Sequence, residues 1–266
     1  MMTRSHLPRA LGLGLLALTF GVGAVAPAAA QDFQWRGTIP QGQAIEIKGV
    51  NGDVRAEPSG SNQVEVVAVK RANRDNPESV RIEAVPHAGG VTICAVYPSR
   101  DGQRPNECQP GDAGRMQVQN SDVTVRFTVR VPAGVALVGK TVNGEIEALR
   151  LNGDVTLTTV NGSIDFSTTA GGRASTVNGS IHGAMGRADW TNTLEMATVN
   201  GSITLTLPPT LSTDVKATTV NGDITSDFPM TISGRVSRRK IEGTIGGGGR
   251  LLSLGSVNGS ITLRRE

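Results

Sequence analysis

The sequence predicts an all-β protein: a β-solenoid of about 16–22-residue coils, preceded by a β-rich N-terminal region. Three observations lead to this fold class. A five-residue unit, apolar-Asn-Gly-(Asp/Ser/Glu)-(Ile/Val), occurs eight times in 266 residues. No segment beyond residue 30 shows helical periodicity over eleven residues. Only 3% of the residues are aromatic, so thin aliphatic layers must fill the core, which argues against an enzyme with a deep aromatic-lined pocket.

Residues 1–30 have the layout of a cleaved secretory signal peptide. Arg4 and Arg9 precede a 15-residue apolar run from Leu11 to Val25, and an Ala-Ala-Ala sequence ends at residue 30. The run is too short for a transmembrane helix. No later stretch approaches 18 apolar residues, so we expect the mature chain to lack a transmembrane segment. The sequence therefore predicts export to the periplasm or the cell exterior.

Residues 31–137 are expected to form the β-rich N-terminal region, with five or six strands. Between residues 123 and 131, Val and Phe alternate with Thr and Arg until Pro132 ends the run. Such alternation is typical of a half-buried strand. Shorter runs of the same kind lie at 44–48, 63–70, 80–85 and 90–97. An early copy of the repeated unit, at Asn51, suggests that the coils already begin within this region.

The only two cysteines, Cys94 and Cys108, lie 14 positions apart in this region. A close, even pair in an exported protein predicts a disulfide. A metal pair or a redox pair has no support, because the sequence contains no C-x-x-C and no clustered histidine. The bridge would close a segment with two prolines and a glycine, for a stabilisation of about 3 kcal/mol in the chain-entropy model.

Residues 138–266 are expected to form the solenoid repeat region, and the Asn-Gly pairs of the repeated unit its corners. The pairs are Asn51 and Gly52, Asn143 and Gly144, Asn152 and Gly153, Asn161 and Gly162, Asn178 and Gly179, Asn200 and Gly201, Asn221 and Gly222, and Asn258 and Gly259. A degraded ninth copy lies at 241–245. From position 143 to position 258, with the pair at 152 left out, the steps are 18, 17, 22, 21, 21 and 16 residues.

Two architectures compete for this unit. Asn-Gly between alternating hydrophobic residues is a strong signal for a β-hairpin with a type I′ turn, which would give an antiparallel meander or barrel. The near-constant step instead favours one coil per repeat. Asn152 falls midway between two other copies, as a second corner on the opposite side of a coil would. We therefore favour the solenoid.

Every residue of the unit has a structural role in this interpretation. The Val and the Ile are four positions apart, and we expect both to point into the narrow interior. Glycine permits the bend, and stacked asparagines can hydrogen-bond one another. The charged C-terminal residues, 264–266, are expected to protect an open edge of the last coil.

The string from Val129 to Leu149, VRVPAGVALVGKTVNGEIEAL, with the reiterated TVNG(D/S)I units, resembles the bacterial putative-adhesin family. These are exported or membrane-associated domains of unknown function, related to adhesin head domains. The resemblance spans roughly residues 42–263. It implies a β-solenoid and, by the family's name, adhesion, but it implies no catalytic or binding residues.

The sequence contains few motifs of catalytic or metal-binding sites. The sequence has no HExxH, no G-x-S-x-G, no P-loop and no G-x-G-x-x-G after a strand, so it predicts no catalytic residue, metal ligand or cofactor. The acids Asp53, Glu145, Asp154 and Asp223 share one repeat position and could form a calcium-binding row. The serines of the intervening copies interrupt that row. Trp190 could stack on a sugar or fill a coil, and the second role is the simpler one.

Charge also constrains the partners. The chain has 26 Lys and Arg against 23 Asp and Glu, and the signal holds two of the former. The mature chain thus has 24 basic and 23 acidic residues, which argues against a nucleic-acid partner. A basic cluster at Arg235, Arg238, Arg239 and Lys240 could meet an anionic polymer or lipid. The simpler interpretation is an edge that discourages strand aggregation.

Three functions remain. The first is a non-catalytic adhesin or binding scaffold of the bacterial cell envelope, with an unidentified protein or glycan partner. The second is a periplasmic structural or envelope-stress accessory without a ligand of its own. The third is a polysaccharide-acting enzyme, which requires two carboxylates within about 5–10 Å of each other outside the corners. The acids there, such as Asp165, Asp189, Glu195 and Asp214, are scattered singly in the sequence.

Overall fold

The computed structural model of the protein describes residues 33–99, 104–187, 190, 194–233 and 237–266. The predicted signal peptide lies outside these residues. The strands are β1 (Phe33–Gly37), β2 (Ala44–Lys48), β3 (Val54–Pro58), β4 (Val64–Arg71), β5 (Arg81–His87), β6 (Gly90–Val96), β7 (Thr124–Val131), β8 (Ala136–Lys140), β9 (Ile146–Leu151), β10 (Val155–Thr158), β11 (Ile164–Thr168), β12 (Gly172–Asn178), β13 (Ile181–Met185), β14 (Leu194–Asn200), β15 (Ile203–Leu207), β16 (Thr213–Asn221), β17 (Ile224–Ser226), β18 (Met230–Ile232), β19 (Lys240–Ile245), β20 (Leu251–Asn258) and β21 (Ile261–Arg265). A 3₁₀ turn spans Pro77–Ser79. Among the described residues, no helix has the length and apolar character needed to cross a bilayer.

The strands form two long sheets, and the chain alternates between them. Sheet A has the order β1-β4-β7-β3-β9-β11-β13-β15-β21-β17. Sheet B has the order β18-β19-β16-β20-β14-β12-β10-β8-β2-β6-β5. From β8 to β15, each strand of one sheet is followed by a strand of the other, and neighbours within a sheet are parallel. The predicted β-solenoid is thus confirmed, and the hairpin alternative is excluded at these corners.

The first coil lies inside the region predicted to precede the solenoid. Strands β2 and β3 flank the Asn51 corner and pair in parallel with β8 and β9, respectively. Beyond this coil, β1, β4 and β5 add antiparallel strands that close the N-terminal end. One hydrophobic cluster runs from Ile39 to Leu263, and a small second cluster among the described residues contains Cys94, Val96 and Cys108. The division of the chain at residue 137 stays a prediction.

The last coil in the sequence is not the last coil in space. Strand β20 lies between β14 and β16, and β21 lies between β15 and β17. The expectation that residues 264–266 protect an open edge is therefore wrong, since Arg264 and Arg265 belong to an internal strand. The ninth repeat copy is not a corner either. Residues 241–245 lie in β19, which pairs antiparallel with both β16 and β18, and β18 is the edge strand at that end of sheet B.

Aliphatic ladders fill the interior. The isoleucines after the corners, Ile146, Ile164, Ile181, Ile203 and Ile261, stack in register and are 0–1% exposed. Five equal side chains about 4.8 Å apart fill a narrow interior without aromatic bulk. Trp190 is buried within the same cluster, as expected of a coil-filling aromatic and not of an exposed sugar-stacking ring.

Candidate functional site: the corner ladder

Each corner on the main side turns the chain from sheet B to sheet A through six residues, most often Thr-Val-Asn-Gly-Ser-Ile. The first and the last point inward, as Thr198 and Ile203 do. The valine does not: Val142, Val160, Val177, Val199, Val257 and Val220 are between 36% and 52% exposed. The prediction that Val shares the interior with Ile is wrong. The reason is that the corner interrupts the two-residue alternation of a strand, so positions four apart no longer share a face.

The corner asparagines form a continuous hydrogen-bonded ladder. In spatial order they are Asn51, Asn143, Asn161, Asn178, Asn200, Asn258 and Asn221. In each step the later Nδ2 donates to the Oδ1 before it, at 2.8–2.9 Å. At the first coil, Asn51 Nδ2 donates to the carbonyl of Ser121 at 3.4 Å. The ladder holds the coils in register and presents a row of amides to solvent.

The corner glycines are required by close approach more than by turn conformation. An added Cβ on Gly201 would lie 1.9 Å from the carbonyl oxygen of Gly179, and one on Gly162 would lie 2.0 Å from that of Gly144. Of the seven glycines in this row, only Gly52 and Gly259 have a positive φ, +121° and +155°. The backbones of adjacent coils meet at these points, and a side chain would separate them.

A row of buried hydroxyls, which sequence reasoning missed, holds the corners from inside. Thr198 Oγ1 donates to the carbonyl of Gly179 at 2.8 Å. The same bond is made by Thr141, Thr159, Thr176, Ser256 and Thr219 to the glycine of the neighbouring coil. The signal was present in the sequence, because Thr or Ser precedes every one of these Val-Asn-Gly units. These bonds satisfy carbonyls that would otherwise be buried without a donor.

The second set of corners, on the opposite side, contains Asn152 and Gly153. Asn152 Oδ1 accepts from Thr169 Oγ1, and Thr168 Oγ1 donates to the carbonyl of Gly153, both at 2.7 Å. The corner lies between β9 of sheet A and β10 of sheet B, as its midway position in the sequence predicted. It repeats the same chemistry with a single Asn-Gly pair.

The acidic repeat positions do not form a calcium-binding row. Asp53 and Glu145 are neighbours, and Asp53 Oδ1 accepts the Glu145 N–H at 3.1 Å. Serines continue the row until Asp223 at its far end. Asp154 lies at the opposite corner and accepts the Gly171 N–H. Within the described residues, no group of three or more His, Cys, Asp or Glu side chains is placed to hold a metal.

The connection between β6 and β7 folds over the start of the corner ladder. A disulfide joins Cys94 in β6 to Cys108 in this connection, with 5.7 Å between their Cα atoms. The Tyr97 hydroxyl donates to the carbonyl of Val123 at 2.9 Å, and its burial raises the pKa of Tyr97 to about 12. Met116 lines a cleft of about 290 Å³ together with Val50 and Val142. Val50, the corner valine of the first coil, is therefore covered where the others are exposed.

Two lysines and a buried glutamate hold this connection against sheet B. Lys48 Nζ donates to the carbonyls of Gln109 and Ala113. Lys140 Nζ lies 2.9 Å from Asp112 Oδ1 and 3.1 Å from Glu46 Oε1, the latter an ion pair without hydrogen-bond alignment.

Electrostatics favour the ionised form of this glutamate. Burial by itself raises the pKa of Glu46, but the hydrogen bonds from the Gly111 N–H and the Thr92 hydroxyl and the charge of Lys140 outweigh it. The pKa of Glu46 therefore lies below its usual value of 4.5. The pKa of Lys140 is raised, because Asp112 and Glu46 outweigh the effect of burial. This cluster anchors a loop, and each charge in it has a partner.

The structure brings together two carboxylates that the sequence keeps apart. Glu147 in β9 and Asp165 in β11 are register partners on the outer face of sheet A, about 4.8 Å apart along the sheet. Each is paired elsewhere: Arg55 forms an ion pair with Glu147, and His182 Nδ1 lies 2.9 Å from Asp165 Oδ1. The shared position directly after the corner isoleucine was the signal for this row. Glu147 also lines a cleft of about 360 Å³ whose other charged residues are Asp53, Arg55, Arg126 and Glu145, and Asp165 does not line it.

The basic cluster lies at the Val220 end of the ladder. The carbonyl of Arg238 accepts the Ile224 N–H, and that of Arg239 accepts the Thr219 N–H. Both arginines are exposed, and Arg235 lies outside the described residues. This turn therefore covers the end of the last corner, with its cationic groups directed to solvent.

A family model described as Toastrack DUF4097 matches residues 115–264, more than half of the chain. Among solved structures, a putative cell adhesion protein from Clostridium sporogenes ATCC 15579 is 10% identical, with a TM-score of 0.46 over 89% of this chain and 100% of its own. A putative adhesin from Bacteroides fragilis NCTC 9343 is 11% identical, with a TM-score of 0.30 over 90% and 99% of the two chains. No curated protein matches the sequence.

Proposed function

Because the chain belongs to the Toastrack DUF4097 family, we propose that it is a non-catalytic, exported binding protein of the bacterial cell envelope, an adhesin or a binding scaffold. The observation that carries this proposal is the corner ladder. It presents six exposed valines beside a row of asparagine amides over six consecutive coils. Single exposed hydrophobic residues are ordinary, whereas an aligned row is typical of an interaction surface.

Export is supported by the disulfide and by the signal-like residues 1–30. Disulfides persist in oxidising compartments and are rare in the bacterial cytosol. A bridge between Cys94 and Cys108 that anchors the loop over the first coil fits a protein that folds after export.

The test of location is protease shaving of intact cells, with osmotically opened cells as the control and the protein followed by blot. Digestion on intact cells supports surface display and an adhesin. Protection until the envelope is opened, combined with no crosslinked envelope partner, supports the second candidate, a periplasmic accessory without its own ligand.

The non-catalytic part of the proposal has a separate test. The carboxylates Glu147 and Asp165 are the pair that a polysaccharide-acting enzyme would use, and each is already engaged by a neighbour: Glu147 forms an ion pair with Arg55, and Asp165 contacts His182 Nδ1. We expect no turnover when purified protein is incubated with envelope glycans. Turnover that Asp165→Asn abolishes, and that Thr204→Ala on the same face leaves intact, would overturn the proposal.

A further inference from the structure

The Asn-Gly pairs of the corners are chemically reactive as well as structural. An asparagine deamidates when the backbone nitrogen of the next residue attacks its side-chain carbonyl carbon, and glycine hinders that attack least because it has no Cβ. The nitrogen must be free to give up its proton and to approach the carboxamide. A pair whose glycine N–H is held in a hydrogen bond therefore reacts only when that part of the structure opens.

The stacked coils hold this N–H at each corner of the ladder before the last one in space. The glycine of each coil donates to the carbonyl of the asparagine in the next coil, at 2.8–3.0 Å. The donors are Gly52, Gly144, Gly162, Gly179, Gly201 and Gly259. Gly222 precedes β17, the edge strand of sheet A, so no further asparagine follows it in the stack. Among the described residues, nothing accepts the Gly222 N–H.

The turn at residues 238 and 239 replaces the missing coil only in part. It offers two carbonyls to the last corner: that of Arg239 accepts the Thr219 N–H at 2.8 Å, and that of Arg238 accepts the Ile224 N–H at 3.0 Å. The Gly222 N–H lies between these two donors in the sequence and receives neither carbonyl. The chain thus satisfies the flanks of this corner and leaves its reactive nitrogen without a partner in the described structure.

Asn221 is also the least restrained carboxamide of the ladder. Its Nδ2 donates to Asn258 Oδ1 at 2.8 Å, but no described residue donates to its own Oδ1. Asn51, at the other end of the ladder, both donates and accepts a side-chain hydrogen bond. Asn221 is exposed and Gly222 is partly exposed, so water reaches both residues.

The pair at the opposite corner is the nearest competitor. The Gly153 N–H also has no acceptor in the described part of the chain. Gly153 is buried, however, and Asn152 Oδ1 accepts from Thr169 Oγ1 at 2.7 Å. Solvent reaches this nitrogen less readily and the carboxamide is fixed, so we expect Asn152 to react after Asn221.

We propose that Asn221 is a site of spontaneous deamidation. A solvent base removes the proton of the Gly222 nitrogen, and this nitrogen bonds to Cγ of Asn221. The Cγ–Nδ2 bond breaks, and Nδ2 takes a proton from solvent and leaves as ammonia. Water then opens the cyclic imide to aspartate or isoaspartate. The new carboxylate has no N–H to donate to Asn258 Oδ1, so the reaction removes the last bond of the ladder.

The chain contains a matched control for this reaction. Residues 50–53 and 220–223 are both Val-Asn-Gly-Asp, and in the fold the glycine N–H is bonded only in the first. The purified protein is incubated at neutral pH, and peptide mass spectrometry follows the acid formed at each Asn-Gly pair. We expect Asn221 to deamidate about tenfold faster than Asn51, a ratio that corresponds to about 1.4 kcal/mol of protection by the bonded corner.

The same incubation in urea separates the effect of structure from that of sequence. In the unfolded chain Asn51 and Asn221 should deamidate at equal rates, and Asn221→Asp should remove the fastest phase of acid formation from the folded protein. A folded protein in which Asn221 reacts no faster than Asn51, or in which Asn152 overtakes it, would overturn the proposal. An excess at Asn221 that persists in urea would also overturn it, because the cause would then be the local sequence.

Discussion

Replacing Gly201 with alanine should destabilise the protein far more than the size of a methyl group suggests. The added Cβ would lie 1.9 Å from the carbonyl oxygen of Gly179 and 2.9 Å from the backbone nitrogen of Ser180. Ordinary contacts of this kind are 3.4–4 Å. The atoms in the way are backbone, so no side chain can rotate aside. The two coils must separate by more than about 1 Å at this corner.

The magnitude follows from the bonds that such a separation breaks. Several bonds cross between the two coils within three residues of Gly201, and four of those given are 3.0 Å or shorter. They are Gly179 N–H to Asn200 O at 3.0 Å, Ile181 N–H to Ser202 O at 2.9 Å, Thr198 Oγ1 to Gly179 O at 2.8 Å, and Asn200 Nδ2 to Asn178 Oδ1 at 2.8 Å. At a net 0.5–1.5 kcal/mol for each bond, losing them lowers the free energy of unfolding by about 2–6 kcal/mol.

The matched control is Gly255→Ala. Gly255 lies in β20, next to the same coil, and an added Cβ there would meet nothing within 4 Å. Alanine in a strand restricts the unfolded chain, so the control should be neutral or up to about 1 kcal/mol more stable. Equilibrium unfolding in urea with the disulfide intact measures both variants. Equal changes in the two would refute the close-approach argument.

Three further predictions concern the buried hydroxyl, the disulfide and the buried carboxylate. Thr198→Val should lower the free energy of urea unfolding by about 1–3 kcal/mol, because the Gly179 carbonyl loses its donor; an unchanged value would contradict the hydroxyl row. Replacing Cys94 and Cys108 by serine should lower the free energy of unfolding by about 3 kcal/mol, because the disulfide links residues 14 positions apart. A thermal unfolding midpoint equal to that of the wild type would contradict this prediction. Glu46 has a lowered pKa, so its stabilisation is present above the unfolded-state pKa and lost as pH falls through the folded-state pKa. Below about pH 4.5 the free energy of unfolding of the wild type should therefore fall towards that of Glu46→Gln, which lacks this stabilisation at every pH. If the unfolding free energies of the two proteins fell in parallel with pH, the prediction would be wrong.

The register of the solenoid could be predicted because the repeat is nearly identical from coil to coil. The Asn-Gly pairs predicted the corners of the main side, and the midway position of Asn152 predicted a corner on the opposite side. The disulfide could be predicted from the spacing of Cys94 and Cys108. In each case a local pattern carried the information, since neighbouring coils repeat the same contacts.

The orientation of the valines could not be predicted from parity. Alternation holds within a strand, but Val142 and Ile146 are separated by a corner that resets it. The order of the last coils was equally hidden. The copy at 241–245 fits the spacing by coincidence, while β19 turns back antiparallel. Spacing gives the number of residues between two corners, and it does not give the path of the chain between them.

The adjacency of Glu147 and Asp165 could have been predicted and was not. Both follow the corner isoleucine directly, as His182 does, so the register places them in one row. Arg55 and His182 contact these two carboxylates and so determine their electrostatic surroundings. The Arg55–Glu147 ion pair and the His182–Asp165 contact join residues 92 and 17 positions apart in the sequence, respectively, and the pattern of a single coil does not reveal them.

The insertion of β20 and β21 between earlier strands has a consequence for synthesis on the ribosome. The coil formed by β16 and β17 cannot join the growing stack directly, because its neighbour on the inner side is made of residues 251–265. Folding that follows the emerging chain must therefore pause at β15 with an exposed edge. Strands β16 to β19 cannot pack on the stack until residues 251–265 have been synthesised and have paired with β14 and β15. A nascent chain stalled before residue 251 should thus present the open strand edge that binds chaperones or aggregates.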